Sequence, residues 1–138
     1  MCDKVIHSAK TLIIPKNLDQ LLLSGRLTHL AAAVARILKI IPVLEISEKT
    51  HGKIDILKKI RTFGKALQAG IETIAESNPD EKTNIYIAHV DNINEANNIF
   101  MTLKDLFPKA MIKVIELPNV VACHVGPGSI SLQWFKCF

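Results

Sequence analysis

The apolar positions of the chain follow two different spacings, which together predict a mixture of strands and helices. Short, nearly continuous apolar runs are typical of buried strands. Runs of this kind fill residues 11–14, 85–90 and 112–117. Residues 43–47 and 53–60 are two further runs around a loop that contains Gly52, which predicts an antiparallel hairpin. Residues 129–135 alternate between polar and apolar side chains, so the last predicted strand should have one polar and one apolar side.

Apolar residues three and four positions apart predict helices between these strands. The predicted helices run between Asn17 and Gly25, over residues 27–41, over residues 63–75, and from Asn92 to just before Pro108. Asn92 and Glu95 have the spacing of a capping box, in which each side chain bonds to the backbone of the other. A strand, a helix and a strand in succession over residues 85–117 imply a right-handed crossover between parallel strands. Together with the hairpin, this crossover predicts a mixed sheet.

Length and composition place these elements in one domain. A chain of 138 residues with 49% hydrophobic side chains has the size of an ordinary domain with its own core. We therefore expect residues 1–138 to form a single α/β domain with some α+β character. Its mixed sheet should contain about six strands.

Composition also narrows the classes of function. The net charge of +4 is spread along the chain and aromatic residues amount to 5%, which argues against nucleic-acid binding. The longest apolar stretch, residues 27–41, carries charges and is shorter than the roughly 20 residues that a membrane span needs. Three widely spaced cysteines are typical of reduced thiols, and the sequence contains no zinc-type Cys-x-x-Cys pair or nucleotide-binding phosphate loop. We expect a cytoplasmic protein without a metal or a cofactor.

The strongest candidate for chemistry is His124, which directly precedes a Gly-Pro-Gly turn. A histidine titrates near neutral pH, so it can hold an anion or transfer a proton. The apolar run over residues 120–123 is interpreted as a strand that leads into this turn. Gly126 and Gly128 add two backbone N–H groups that could help to hold an anion. The structural alternative is a histidine that only bonds to the turn and locks the loop.

Two further segments carry candidate ligand-binding residues. Arg26 lies in the tight joint between two predicted helices, where its guanidinium can grip a carboxylate or a phosphate at two points. The structural alternative is that Arg26 satisfies carbonyls at a helix end and that Thr28 is only a cap. His89 lies where a predicted parallel strand gives way to a helix, the edge at which open α/β sheets bind ligands. Its alternative role is to pack beneath that turn.

Three segments, taken together, resemble the C-terminal domain of the DegV family of bacterial fatty-acid-binding proteins. They are residues 24–28 (Ser-Gly-Arg-Leu-Thr), residues 88–92 (Ala-His-Val-Asp-Asn) leading into Glu95, and residues 124–128 (His-Val-Gly-Pro-Gly). The resemblance extends over essentially the whole chain. It implies a two-layer mixed sheet with helices. It also implies that the N-terminal domain of the family is absent from this chain.

The resemblance implies roles for individual residues. In such proteins two domains enclose an acyl chain, and hydroxyls of the N-terminal domain hold its carboxylate together with groups of the C-terminal domain. His124 is implied to lie near the carboxylate, and Arg26 near the polar end of the pocket or on a partner-facing surface. The alanine-rich helix over residues 27–41, with Val34 and Leu38, is implied to line the acyl tunnel. Val125 stands where a threonine is common, so a hydroxyl is lost from the polar end.

The leading hypothesis is a noncatalytic domain that binds a long-chain fatty acid. By resemblance, the full-length protein would present the carboxylate to a fatty-acid kinase. One alternative is an interaction domain without a ligand, which forms a homodimer or docks onto an N-terminal domain partner. Another is a transferase or hydrolase in which His124 is the base or the nucleophile. That hypothesis needs a partner acid, and the sequence indicates none.

Overall fold

A computed structural model describes residues 2–26, 33 and 40–138. Within these residues the chain forms five α-helices and six β-strands. The helices are α1 (Cys2–Ser8), α2 (Asp19–Ser24), α3 (Phe63–Glu76), α4 (Ile93–Leu106) and α5 (Asn119–Val125). The strands are β1 (Lys10–Ile14), β2 (Val43–Ile46), β3 (Asp55–Lys58), β4 (Thr83–His89), β5 (Met111–Glu116) and β6 (Ile130–Lys136). The helix predicted over residues 27–41 falls largely outside the described residues.

All six strands belong to one mixed sheet, as the sequence predicts. The strand order is β3-β2-β1-β6-β4-β5. β4 and β5 are parallel and are joined through α4, whereas the other neighbouring pairs are antiparallel. The predicted hairpin is the β2–β3 pair, and a short 3₁₀ turn over Glu48–Thr50 lies in its loop. The α/β fold class and the strand count are therefore confirmed.

The main core lies between one face of the sheet and the helices α3 and α4. Leu12, Ile87 and Leu132 point from neighbouring central strands into this core and are almost fully buried. Gly70 lets α3 approach the sheet closely, because a Cβ atom there would lie 2.9 Å from the Cδ1 atoms of both Ile14 and Leu132. The helices α3 and α4 thus cover this face of the sheet.

The other face of the sheet carries a smaller apolar cluster, on which α2 and α5 pack. Side chains from β1, from the β2–β3 hairpin and from both helices meet in it. Its buried members are Ile13, Leu18, Leu21, Leu44, Ile54 and Val125. This cluster brings the end of α2, the hairpin loop and the end of α5 to one side of the sheet.

The predicted strand before His124 is wrong, because residues 119–125 form the helix α5. Pro118 precedes this helix with φ near −55°, and its carbonyl accepts hydrogen bonds from the N–H groups of Val121 and Ala122, both at 2.9 Å. A short apolar run does not by itself distinguish a buried strand from a helix. Cys123 and His124 are therefore neighbours on a helix and do not alternate across a strand.

Two finer predictions are also corrected. The Asn92 side chain does not cap α4; its Nδ2 donates instead to the Gly128 carbonyl at 2.9 Å. The polar side of β6 is not simply exposed, because Ser131 is buried and its hydroxyl donates to the Leu12 carbonyl at 3.0 Å. In both cases the polar group donates a hydrogen bond to a backbone carbonyl that is distant in sequence. In the described part of the chain no helix is long and apolar enough to cross a membrane.

Candidate functional site

A cavity of about 520 Å³ opens on the face of the sheet that α2 and α5 cover. Most of the described side chains around it are aliphatic. They are Ile13, Ile46, Ile54, Val120, Val121 and Val125. Three basic side chains also line it, namely Arg26, Lys53 and His124, and none of the described lining residues is acidic. The arrangement suits a ligand with an apolar body and an anionic group.

The backbone at the end of α2 places Arg26 at the cavity. Gly25 ends the helix in the left-handed conformation, with φ of 66°, and so turns the chain. The Ser24 hydroxyl donates to the Leu21 carbonyl at 2.8 Å, so Ser24 rather than Arg26 satisfies that carbonyl at the helix end. The guanidinium is exposed and forms no hydrogen bond or ion pair with the described residues. It is therefore available to an anionic ligand.

His124 lies in the last turn of α5, between the exposed Cys123 and the buried Val125. Val125 packs into the apolar cluster and anchors the end of the helix. The imidazole is half-buried and lines the cavity, and it makes no hydrogen bond within the described residues. Its two nitrogens are thus not committed to locking the loop, which was the structural alternative.

Backbone hydrogen bonds fix the Gly-Pro-Gly loop against the end of β4. The Gly128 N–H donates to the Val90 carbonyl at 2.7 Å, and the Val90 N–H donates to the Ser129 carbonyl at 3.0 Å. The Gly126 N–H donates to the Ala122 carbonyl at 2.9 Å. Both glycine N–H groups are used within the protein, so the expectation that they hold an anion is wrong for this conformation.

The two glycines are needed for close packing. Gly126 and Gly128 have φ of 85° and 81°, a region that side-chain-bearing residues rarely occupy. A Cβ at Gly126 would lie 3.0 Å from Gln20 Cγ, and one at Gly128 would lie 3.0 Å from Lys16 Cβ. The loop can therefore lie directly against α2 and the segment before it. Neither glycine is among the described residues that line the cavity.

His89 has a structural position rather than a position at the cavity. It is 4% exposed, and its Nδ1 accepts a hydrogen bond from the Asn92 N–H at 3.2 Å. The chain turns at Asp91, which has φ of 49°. The ring thus packs beneath the turn, as the structural alternative for His89 states, and it is not among the residues that line the cavity.

The other predicted site residues, Thr28, Val34 and Leu38, lie outside the described residues. Sequence analysis did not identify Lys53 and Ile54, which reach the cavity from the hairpin loop. The sequence predicts the hairpin loop that contains them. Nothing in the sequence shows that this loop folds toward α5. Among the described residues no group of acidic, histidine and cysteine side chains could hold a metal ion.

Comparison with known proteins identifies the family. A family model described as "Uncharacterised protein, DegV family" matches residues 1–137. The chain belongs to the DegV family. A DegV domain-containing protein of Clostridium acetobutylicum is 30% identical to it over 131 residues, which are 94% of this chain and 45% of that protein. This chain therefore spans less than half the length of that curated DegV relative.

Solved structures of DegV proteins have the same fold. A fatty acid binding DegV family protein from Streptococcus agalactiae superposes with a TM-score of 0.86 at 27% identity, over 99% of this chain and 47% of the other. A fatty acid kinase B3 protein from Streptococcus pneumoniae, loaded with linoleic acid, superposes with a TM-score of 0.76 over 94% of this DegV chain and 44% of the other. At 24% identity the second likeness shows the fold alone.

Proposed function

We propose that this DegV chain is the C-terminal, ligand-binding domain of a fatty-acid-binding protein. The observation that carries the proposal is the aliphatic cavity with Arg26 and His124 in its lining and no acidic residue among its described lining residues. Its volume of about 520 Å³ falls within the range of small-molecule sites in proteins. The structural neighbour from Streptococcus agalactiae is a fatty acid binding DegV family protein, which supports the choice of ligand.

The hydrocarbon chain and the carboxylate would use different parts of the site. Each buried methylene contributes about 0.8 kcal/mol, so the aliphatic lining supplies affinity without a directional contact. Arg26 pairs with the carboxylate through its planar fork, and His124 donates a hydrogen bond to it. Val34 and Leu38 are proposed to line the acyl tunnel, as the family resemblance implies, and Thr28 stays a predicted ligand-binding residue.

The domain is proposed to bind and present its ligand without transforming it. Activation of a histidine as a base or nucleophile uses a positioned partner, and His124 has no carboxylate partner in the described part of the chain. We further propose a separate kinase as the recipient of the bound fatty acid, as the family resemblance implies. A cytoplasmic location is consistent with Cys123 and Cys137, two free and exposed thiols.

A second domain is proposed to complete the site. The relatives are about twice as long as this chain, and the resemblance assigns further carboxylate contacts to their N-terminal domain. We expect the chain alone to bind fatty acids weakly and to retain little after purification. The alternative is that a second copy of this domain completes the site in a homodimer. Light scattering at several concentrations distinguishes a homodimer from a monomer.

Binding is tested by titrating the chain with saturated fatty acids of increasing length and recording amide chemical shifts. Affinity should rise about fourfold for each added methylene until the cavity is full, since 0.8 kcal/mol corresponds to that factor. Val121→Trp fills the cavity from a partly exposed position and should lower affinity more than tenfold. Leu23→Trp is the matched control, because Leu23 is 83% exposed and does not line the cavity. Equal binding by both variants, or binding that does not saturate, contradicts the proposal.

A further inference from the structure

The loop between β2 and β3 brings a basic residue to the cavity that the family resemblance does not assign. Gly52, Lys53 and Ile54 line the cavity together with the ends of α2 and α5. Ile54 is buried in the apolar cluster, whereas Lys53 is exposed. The loop thus contributes an apolar part of the wall and, immediately before it in sequence, a positive charge.

The loop has a defined shape and is not a free tether. The Thr50 hydroxyl accepts a hydrogen bond from the Ser47 N–H at 3.1 Å and lies 3.0 Å from the Ser47 carbonyl, to which it donates. The His51 N–H donates to the Glu48 carbonyl at 3.1 Å, and the Lys53 N–H donates to the Thr50 carbonyl at 3.0 Å. With Ile54 buried on the other side, the backbone of Lys53 is held on both flanks at the cavity.

Within the part of the chain that the structure describes, the Lys53 ammonium has no bonding partner. It makes no hydrogen bond or ion pair with the described residues, unlike Lys136, which pairs with Asp80 at 3.1 Å. Arg26 likewise has no described partner, and neither cation faces an acidic residue among the described lining. Two positive charges from separate elements, both without an ion pair to the described residues, therefore adjoin one apolar cavity, where an anionic head group would meet favourable charges.

We propose that Lys53 is a specificity-determining residue, which makes the cavity select anionic amphiphiles over neutral amphiphiles of the same chain length. The inference rests on the proposed function and adds to it the residue that sets the charge preference. A neutral head group leaves the ammonium in water and gains nothing from it, whereas a carboxylate gains a favourable charge pair. The contribution is electrostatic and near the surface, so salt should weaken it.

The test compares dodecanoic acid with dodecanol on the intact chain, by amide chemical-shift titration at low and at high salt. Lys53→Gln should lower affinity for the acid about two- to fivefold at low salt and leave affinity for the alcohol unchanged, as expected for an exposed charge pair. Lys53→Glu should lower acid affinity further. Lys49→Gln is the control, because Lys49 is exposed in the same loop but does not line the cavity.

The outcomes separate this inference from the function on which it rests. If the wild-type chain saturates with neither ligand, the proposed function fails and the inference fails with it. If both ligands bind and Lys53→Gln keeps the wild-type ratio of acid to alcohol affinity, only the inference is overturned. An equal effect of Lys49→Gln would also overturn it, since a general charge effect would then explain the preference. Equal weakening of both ligands by Lys53→Gln would indicate a damaged loop and would likewise overturn it.

Discussion

Replacing Gly126 with alanine is expected to destabilise the domain through the backbone of the Gly-Pro-Gly loop. Gly126 has φ of 85° and ψ of 165°, a combination that is essentially restricted to glycine. Holding another residue there costs about 1–3 kcal/mol. The new methyl group would also lie 3.0 Å from Gln20 Cγ. Because Gln20 is an exposed, flexible side chain that can move away, we assign most of the loss to the backbone.

The expected loss in the free energy of unfolding is therefore about 2 kcal/mol, dominated by the backbone cost. A domain with a total stability of about 5–15 kcal/mol remains folded after such a loss. Urea unfolding measures the change directly, and Trp134 is a suitable probe because it is the single tryptophan and is 3% exposed. With a slope of about 1–3 kcal/mol per molar urea, the midpoint should fall by about 1 M.

Three matched variants identify the cause. Gly64→Ala should stabilise slightly, because Gly64 lies in α3 with nothing within 4 Å of the added Cβ. Gly25→Ala tests a positive φ of 66° without a steric contact and should cost about 1 kcal/mol. Adding Gln20→Ala to Gly126→Ala should recover only the small steric part. If Gly126→Ala costs no more than Gly25→Ala, the loop is not held in the conformation described.

Two further predictions concern the packing at Gly70 and the charge of Asp80. Gly70→Ala should destabilise by about 1 kcal/mol in the same urea assay, because overpacking against Ile14 and Leu132 exceeds the gain of about 1 kcal/mol from alanine in a helix. Asp80 makes the native state sensitive to acid, since a hydrogen bond from the Thr83 hydroxyl lowers the pKa of its carboxyl below 3.8. The unfolded state then binds the proton more readily, so this stabilisation is present at neutral pH and is lost as the pH falls below about 3.8.

Each of these predictions has its own control. Adding Leu132→Val to Gly70→Ala removes one of the two crowded methyl groups and should restore part of the stability, and a stabilised Gly70→Ala single variant would contradict the described packing. Asp80→Asn should flatten the acid limb of the stability profile. Asp105→Asn should leave it unchanged, because Asp105 is exposed and makes no hydrogen bond or ion pair within the described residues. A profile that is the same for wild type and Asp80→Asn would show that Asp80 does not carry the dependence.

The strands were predictable because five of them contain a short apolar run and the sixth, β6, alternates between polar and apolar residues. The hairpin loop and the crossover through α4 also follow from local spacing, so the mixed sheet could be inferred without coordinates. The helix α5 could not be distinguished from a strand, since its valines and alanine form one continuous apolar run. The backbone hydrogen bonds, among them those to the Pro118 carbonyl, show that the run is helical.

The candidate site was predictable only in part, because its residues come from distant segments. Arg26 and His124 were identified individually, and the fold places both of them at one cavity. Lys53 carries no motif and becomes visible only when the hairpin packs beside α5. For His89 the sequence left a ligand role and a structural role open, and its ring accepts a hydrogen bond from the nearby Asn92 N–H, which favours the structural role.

The strand order has a consequence for how the domain is made during translation. β6 follows every other strand in sequence, yet it lies between β1 and β4 in the middle of the sheet. Until it leaves the ribosome, the nascent chain can form the β3-β2-β1 part and the β4–β5 pair, but no strand joins these two parts. Each part then presents an unpaired edge, which is a known starting point for aggregation. Stop codons shortly before residue 130 should therefore yield insoluble chains rather than partly folded domains.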